Sequence, residues 1–121
     1  MEQNKNGFII DVLNILPEKI ECFIQAPSLE NLAIKEMLQK SDFDYFELLI
    51  LDKNSKEIFI RQEFEASFSM YLQKIEIRKN DVLLFEGFDG CEYGIISKKV
   101  IIPEWFKEKY VPEICLVSDE W

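Results

Sequence analysis

Histidine is absent from the chain, and this absence excludes more kinds of function than any other feature of the sequence. Ser-His-Asp and Cys-His catalysis and every imidazole metal site need it, and it is the usual proton carrier near pH 7. The GxGxxG and GxxxxGK[ST] loops that cradle phosphates are missing too. Paired carboxylates could still hydrolyse glycosides, but among 23 acidic residues such pairs arise by chance. We therefore expect a binding protein rather than an enzyme.

Cysteine is scarce and is not clustered. The chain has three cysteines, Cys22, Cys91 and Cys115, which cannot all pair within one chain. None of them lies in a CxxC spacing. Neither a closed set of disulfides nor a zinc site is indicated, so we expect three reduced thiols that pack as small apolar groups. Asp89 and Glu92 flank Cys91, and their negative charges disfavour a reactive thiolate there. We expect no metal and no cofactor.

Long apolar runs and basic stretches are also missing. No run approaches the roughly 20 apolar residues of a membrane span, and residues 1–5 lack the basic start and apolar stretch of a signal peptide. These features predict a cytoplasmic protein. The net charge of −9 is spread over both halves, which disfavours nucleic acid and anionic membranes as partners. The expected partner is a basic protein, although acidity can also serve solubility alone.

What the chain does contain is enough apolar material for a folded core. Apolar residues make up 48% of its 121 residues, and ten of them are Phe. Such a composition excludes a disordered chain. The length is typical of one domain, and no repeat or flexible linker divides residues 1–121, so we expect a single domain.

The first third of the sequence has helical periodicity. Apolar residues from Phe8 to Leu16 predict a first helix that ends near Pro17. Residues 20–24 fit either a strand or a continuation of that helix. A second helix is predicted over residues 29–40, with Ser28 as its N-cap because the serine hydroxyl accepts hydrogen bonds from the first turn.

From Tyr45 onward the apolar period changes to two, which predicts strands. A polar turn over residues 52–56, a turn at Asn80-Asp81 and a type I′ two-residue turn at Asp89-Gly90 divide them. Pro103 opens a short helix that ends near Tyr110, in which at least one of the adjacent Trp105 and Phe106 rings should pack inward. The strands are predicted over residues 45–51, 57–64, 68–77, 82–88, 91–96 and, as a short closing strand, 114–117.

The fold class that follows is α+β. N-terminal helices should pack on an antiparallel meander of about five strands, with a short C-terminal helix and the closing strand. Within the third strand, Ile75 and Ile77 should point inward, while Lys74, Glu76 and Arg78 point outward.

The first candidate binding surface is the acidic hairpin within residues 81–97. This segment has four acids, three aromatic residues and no base. We predict partner contacts at Glu86, Asp89, Glu92 and Tyr93, because aromatic rings form interface cores and charge sets the register. Across a two-residue turn, Glu86 should lie opposite Tyr93. An ordinary hairpin with its aromatic rings in the core and solvated acids is the alternative.

The C-terminal residues Asp119, Glu120 and Trp121 are the second candidate surface. They place an aromatic ring beside two carboxylates. The tryptophan could equally fold back onto the core, and both interpretations stay open at this point.

As a class, the chain resembles small acidic bacterial immunity proteins, including those of contact-dependent growth-inhibition systems. The resemblance is carried by the small size, the net charge, the missing catalytic groups and the acidic aromatic segment Leu84–Tyr93. It implies neutralisation of a cognate toxin, commonly a nuclease, by covering its active site or a nearby surface. These proteins share no single fold, so the resemblance implies no residue roles. An inhibitor encoded by a phage or a host, a scaffold subunit that binds another basic protein, and a small carboxylate-dependent enzyme fit the sequence as well.

Overall fold

The computed structural model describes residues 6–121, and within them four α-helices, a 3₁₀ helix and seven strands follow one another along the chain. Their bounds are α1 (Asn6–Ile15), β1 (Ile20–Gln25), α2 (Leu32–Met37), β2 (Gln39–Lys40), β3 (Glu47–Leu51), α3 (Lys53–Glu65), the 3₁₀ helix (Ser69–Tyr71), β4 (Lys74–Lys79), β5 (Val82–Phe88), β6 (Tyr93–Ile96), α4 (Glu104–Tyr110) and β7 (Cys115–Val117). The strands form one sheet in the order β2-β3-β1-β4-β5-β6-β7. All neighbours are antiparallel except β6 and β7, which are parallel. The α+β class is confirmed, and the sheet has seven strands rather than about five.

Helix α1 ends where its pattern predicted, and the structure shows what fixes its end. The ammonium of Lys56, on α3, donates to the carbonyl oxygens of Leu13 at 3.1 Å and Pro17 at 3.0 Å. The last carbonyls of a helix lack partners within the helix. Lys56 satisfies that of Leu13 from outside and ties it to Pro17, two residues beyond the end of α1. The ambiguous residues 20–24 fall in strand β1.

The predicted second helix over residues 29–40 is wrong at both ends. Helix α2 is much shorter, and Asn31 rather than Ser28 is its N-cap. The Asn31 side chain accepts from the backbone N–H of Ile34 at 3.1 Å and donates to Gln62 on α3 at 3.0 Å. After α2 the chain turns to form β2, which pairs with β3 at the edge of the sheet.

The largest error concerns residues 52–64, for which a polar turn over 52–56 and then a strand over 57–64 were predicted. They form helix α3 instead. Asp52 accepts from the backbone N–H of Ser55 at 2.9 Å, and the Ser55 hydroxyl accepts from the Asp52 N–H at 2.8 Å. This reciprocal capping box starts a helix. The buried side chains of α3 are Phe59 and Glu63, four residues apart on one face.

The predicted strand over residues 68–77 begins late, because residues 69–71 form the 3₁₀ helix before β4 starts at Lys74. Ile75 and Ile77 are buried, and the side chains between them are only partly buried, so the predicted alternation is confirmed. Pro103 is the N-cap of α4 rather than its first residue.

The core lies between the helices and one face of the sheet. Phe8 of α1 packs edge-on against Phe85 of β5, with ring centroids 5.8 Å apart, and lies 4.8 Å from the ring of Tyr110 on α4. Phe106 is fully buried while Trp105 is 46% exposed, so one ring of that pair packs inward as predicted. All three cysteines are buried and free of disulfides. Within residues 6–121, the helices are too short or too polar to cross a membrane.

Candidate protein-binding surface

The sheet has a second face, which we call the open face, and it remains accessible to solvent. Helices α1, α3 and α4 bury their side chains against the first face, in one cluster with alternate residues of the strands. The other alternate residues point away from that cluster, and among those described none is fully buried. They are Glu21, Phe23, Gln25, Leu48, Ile50, Lys74, Glu76, Arg78, Leu83, Glu86, Phe88, Tyr93, Ile95 and Leu116.

Solvent on one face is ordinary for an antiparallel sheet, but such a face usually carries polar side chains. Here eight of the fourteen residues are aliphatic or aromatic. Tyr93 is 46% exposed and Leu116 is 53% exposed. Contiguous exposed apolar side chains rimmed by polar ones are typical of interaction sites.

Ion pairs occupy the centre of the open face. Glu76 and Glu86 are direct cross-strand partners, and like charges in that position repel each other. The ammonium of Lys74 offsets the repulsion, since it lies 3.5 Å from the Glu76 carboxylate and 3.8 Å from that of Glu86. Arg78 holds Glu76 at 3.1 Å from its other side. The predicted contact residue Glu86 therefore belongs to an internal network, and its side chain is only 20% exposed.

An aromatic pair continues the open face toward the hairpin. The rings of Phe88 and Tyr93 are stacked with centroids 5.4 Å apart, and the ammonium of Lys74 lies 5.5 Å from the Phe88 centroid. The Tyr93 hydroxyl donates to the Asp89 carboxylate at 3.4 Å. The negative charge of Asp89 is the main reason why the pKa of Tyr93 is raised.

The hairpin loop has four residues, 89–92, and the predicted two-residue turn is wrong. Phe88 pairs with Tyr93, and Glu86 lies opposite Ile95 rather than opposite Tyr93. Asp89 and Gly90 do have the positive φ angles that the turn prediction required, 53° and 73°. The Cys91 side chain turns into the core, where burial raises the pKa of its thiol to about 12.

The hairpin loop is fixed to the segment that contains the 3₁₀ helix. The backbone N–H groups of Asp89 and Gly90 donate to the carbonyl oxygens of Gln73 and Leu72, both at 3.0 Å. A side chain at Gly90 would place its Cβ 2.8 Å from the carbonyl oxygen of Met70, so only glycine allows this approach. Asp89 and Glu92 are thus exposed on a loop with a defined backbone, and Tyr93 is exposed at the start of β6.

The three C-terminal candidates lie at the other end of β6. Ser118 donates its N–H to the carbonyl of Ile96 at 2.8 Å, and its hydroxyl accepts from the N–H groups of Glu120 and Trp121. The main-chain oxygen of Asp119 accepts from the Lys98 ammonium at 3.0 Å. Trp121 is half-buried and its main-chain oxygen accepts from the Ser97 hydroxyl, so this residue folds back onto the body of the protein.

A second acidic aromatic loop, residues 41–46, was missed by the sequence analysis, and we call it the first loop. Asp42, Asp44 and Tyr45 are exposed, Tyr45 by 88%. The Phe43 ring lies 4.8 Å from that of Phe23 on the open face, and the Arg78 guanidinium lies 5.7 Å from the Phe43 centroid. Residues 41–47 contain three acids, three aromatic residues and no base, which is a denser signal than that of the hairpin.

The first loop and the hairpin loop emerge at the same end of the sheet. Gln25, at the end of β1, pairs with Lys74, at the start of β4, and Lys74 pairs with Phe88, at the end of β5. Glu47 opens β3 at the same level, since it pairs with Ile24. We call this region the acidic end. Its five carboxylates are those of Asp42, Asp44, Glu47, Asp89 and Glu92.

A groove runs along the acidic end between the two loops. It has two adjoining sections that share Gln25 and Gln73 as their floor. The section of about 400 Å³ lies against the first loop, and the section of about 610 Å³ lies against the hairpin loop. The first is further lined by Ile24, Ala26, Pro27, Tyr45, Phe46 and Glu47, and the second by Met70, Lys74, Phe88, Asp89 and Gly90.

Residues 6–121 contain no group of three or more Cys, Asp or Glu side chains placed to hold a metal ion. Comparisons of the chain with protein-family models, with curated proteins and with solved structures found no match.

Proposed function

We propose that this chain is a non-enzymatic binding protein that engages a basic protein partner through its open face and acidic end. The observation that carries the proposal is the one-sided sheet: helices cover one face, while the other exposes aromatic rings beside the carboxylates of two loops. Within this class of function we propose an immunity protein that neutralises a toxin domain, most simply a nuclease.

The charge of the acidic end supports a basic partner. Its five carboxylates face two nearby lysines: Lys40, the cross-strand partner of Glu47, and Lys35, which lines a small pocket with Glu47. Lys74 is already engaged by two glutamates. The excess negative charge would steer a basic partner and set its register. Nucleases that act on nucleic acid present basic clefts, in which carboxylates can stand in for phosphates.

The backbone of Tyr45 supports a binding role independently of charge. Its φ angle is 71°, a left-handed conformation in which bulky residues are rare. Such strain costs about 1–3 kcal/mol and clusters at functional sites. The side chain gains little within the chain in return, because it is 88% exposed. Burial of the Tyr45 ring in an interface with a partner would offset the free-energy cost of this backbone conformation.

A carboxylate-dependent enzyme is the alternative in a different class. The best-placed carboxylate pair on the open face is Glu76 and Glu86, which are cross-strand partners. Both are held by Lys74, and Glu76 is also held by Arg78. These ion pairs give both carboxylates a structural role on the sheet. We therefore favour a binding function over hydrolysis.

The test begins with the partner. The tagged chain is expressed in its source cells, and its complexes are captured and eluted with a rising salt gradient. Because salt screens charge pairs, the gradient should release a basic protein. That protein is then expressed alone and together with the chain in an unrelated host. Growth arrest by the protein alone, and recovery on co-expression, is the expected result.

Two outcomes would contradict the proposal at different levels. A basic partner that is harmless when expressed alone would overturn the immunity role and leave an inhibitor or scaffold that binds a basic protein. A partner that elutes independently of salt would contradict the role of the acidic end itself.

A further inference from the structure

We infer that the groove at the acidic end receives an extended basic segment of the partner, about four residues long, with a cationic side chain toward each end. This inference deepens the proposed function and rests on it. It assigns the contact to Glu47, Gln25, Gln73 and Asp89, of which only Asp89 belongs to the predicted hairpin surface.

The dimensions of the groove fit an extended segment. It reaches from Glu47 on β3 to Asp89 after β5 and crosses the ends of β1 and β4. Four neighbouring strands enclose three spacings of about 4.8 Å, or about 14 Å in all. Extended chain advances about 3.4 Å per residue, so about four residues span this distance. An α-helix, about 10 Å across with its side chains, would have to lie above the groove rather than in it.

The lining of the groove selects the side chains of the segment. Glu47 and Asp89, both exposed, place one carboxylate at each end. The section that contains Glu47 is also lined by the apolar side chains of Ala26, Pro27 and Phe46. Lysine and arginine match this arrangement because their aliphatic stems can lie along apolar surface while the charged heads reach carboxylates. A short apolar residue between the two cations would fill the remaining space.

The floor of the groove offers hydrogen bonds to the main chain of a bound segment. The backbone N–H of Gln73 donates to the carbonyl of Gln25 at 2.8 Å, which fixes the two residues side by side. The hydrogen bonds that Gln25 and Gln73 form within residues 6–121 are made by their main chains, and their side-chain amides have no partner there. Each amide provides two donors and an acceptor, and an extended peptide presents complementary N–H and carbonyl groups.

Lys74 is the basic side chain in the groove wall, and it does not oppose a cationic guest. Its ammonium faces Glu76 and Glu86 across the open face and the ring of Phe88. The charge of Lys74 is therefore offset inside the sheet, and the other charged side chains that line the groove are the carboxylates of Glu47 and Asp89.

The experiment uses the full chain, labelled with ¹⁵N, and two capped tetrapeptides as probes. The first is acetyl-Arg-Leu-Gly-Arg-amide and the second is acetyl-Glu-Leu-Gly-Glu-amide. The basic peptide should shift the side-chain NH₂ resonances of Gln25 and Gln73, and the acidic peptide should not. Shifts that are confined to other parts of the chain, or the absence of shifts at millimolar peptide, would overturn the inference.

Two double variants locate the charge. Glu47→Gln with Asp89→Asn should weaken binding of the basic peptide about fivefold, as expected for two exposed ion pairs. Glu108→Gln with Glu113→Gln removes the same charge within and just after helix α4, outside the residues that line the groove, and should leave peptide binding unchanged. Equal effects of the two pairs would show that the peptide responds to net charge alone, and would overturn the groove assignment.

The two proposals can fail separately. If the Glu47 and Asp89 variant still neutralises the toxin fully while peptide binding is lost, the groove is not the partner site and the proposed function stands. If peptide binding behaves as expected but no toxic partner exists, the immunity role fails and the groove assignment stands.

Discussion

Glu63 holds Ser69 by two hydrogen bonds inside the core: its carboxylate accepts the Ser69 hydroxyl at 2.7 Å and the Ser69 N–H at 2.9 Å. The same carboxylate accepts the N–H of Phe68 at 3.0 Å and the hydroxyl of Ser67 at 2.9 Å. Glu63 is 1% exposed. It therefore fixes the 3₁₀ helix after α3, and that segment in turn holds the hairpin loop through the Leu72 carbonyl.

Replacement of Glu63 should destabilise the protein in proportion to the hydrogen bonds that are lost. Glu63→Ala leaves three buried donors without an acceptor, and we expect a loss of about 3 kcal/mol or more in the free energy of unfolding. Glu63→Gln keeps one oxygen for the two N–H groups and offers its NH₂ to the two hydroxyls, so the loss should be about 1 kcal/mol. Urea unfolding measures both. Equal losses for the two variants would show that the negative charge, rather than the hydrogen-bond geometry, is required.

Lys56 should stabilise the end of α1 through its ammonium. Lys56→Met keeps most of the side-chain stem but leaves the carbonyls of Leu13 and Pro17 without this donor, and we expect a loss of about 1–2 kcal/mol. Lys53→Met is the control on the same helix, because Lys53 is exposed. Surface changes of that kind stay within about 0.5 kcal/mol. Similar melting curves for the two variants would contradict a capping role for Lys56.

The success and failure of the sequence analysis have identifiable physical causes. Residues 52–64 were misassigned because Asp, Asn and Ser are favoured both in turns and at helix N-caps. In both places their short polar side chains form hydrogen bonds with nearby backbone groups. Helix α3 also buries Glu63 where the helical pattern would place an apolar residue, which weakens the 3.6-residue signal. Strand β5 and the short α4 had unambiguous boundaries, and both were predicted within one residue.

The candidate site could be predicted only in part. Asp89 and Tyr93 were found because their segment is acidic and aromatic on its own. The first loop has the same signal in its composition, but its meeting with the hairpin loop depends on strand order. Strand β1 lies between β3 and β4, with helix α3 intervening in the chain between those two strands. No local sequence pattern predicts which strands pair when they are far apart along the chain.

The buried thiols predict a loss of stability in alkali. Burial raises the pKa of Cys91 and of Cys115 from 9.0 to about 12 and raises that of Cys22 as well. Above pH 9 the unfolded chain releases thiol protons that the folded chain retains. The folded state then binds more protons, so the free energy of unfolding falls as pH rises, by up to about 1.4 kcal/mol per pH unit for each thiol.

Cys91→Ala isolates one of these contributions. Urea unfolding in the presence of reductant, repeated from pH 8 to pH 11, should give a shallower decline for the variant than for the unaltered protein. The difference in slope should approach about 1.4 kcal/mol per pH unit above pH 9. Parallel declines would show that the Cys91 thiol titrates in the folded protein as it does in the unfolded chain.

Tyr45→Gly should weaken partner binding without lowering the stability of the fold. Glycine adopts a φ of 71° without strain, so the free energy of unfolding should rise by about 0.5–1 kcal/mol or stay level once the added chain entropy is counted. Loss of the exposed ring should weaken partner binding at least tenfold, about 1.4 kcal/mol, as for an aromatic residue at an interface centre.

Phe64→Ala is the matched control for the loss of an exposed ring. Phe64 is 83% exposed on α3 and belongs neither to the strand residues of the open face nor to the lining of the groove, so its replacement should leave the dissociation constant unchanged. Calorimetric titration against the isolated partner measures both variants, and thermal unfolding shows that each is folded. If Tyr45→Gly binds as tightly as Phe64→Ala, the first loop lies outside the interface, and the exposed residues Tyr93 and Leu116 of the open face become the side chains to replace next.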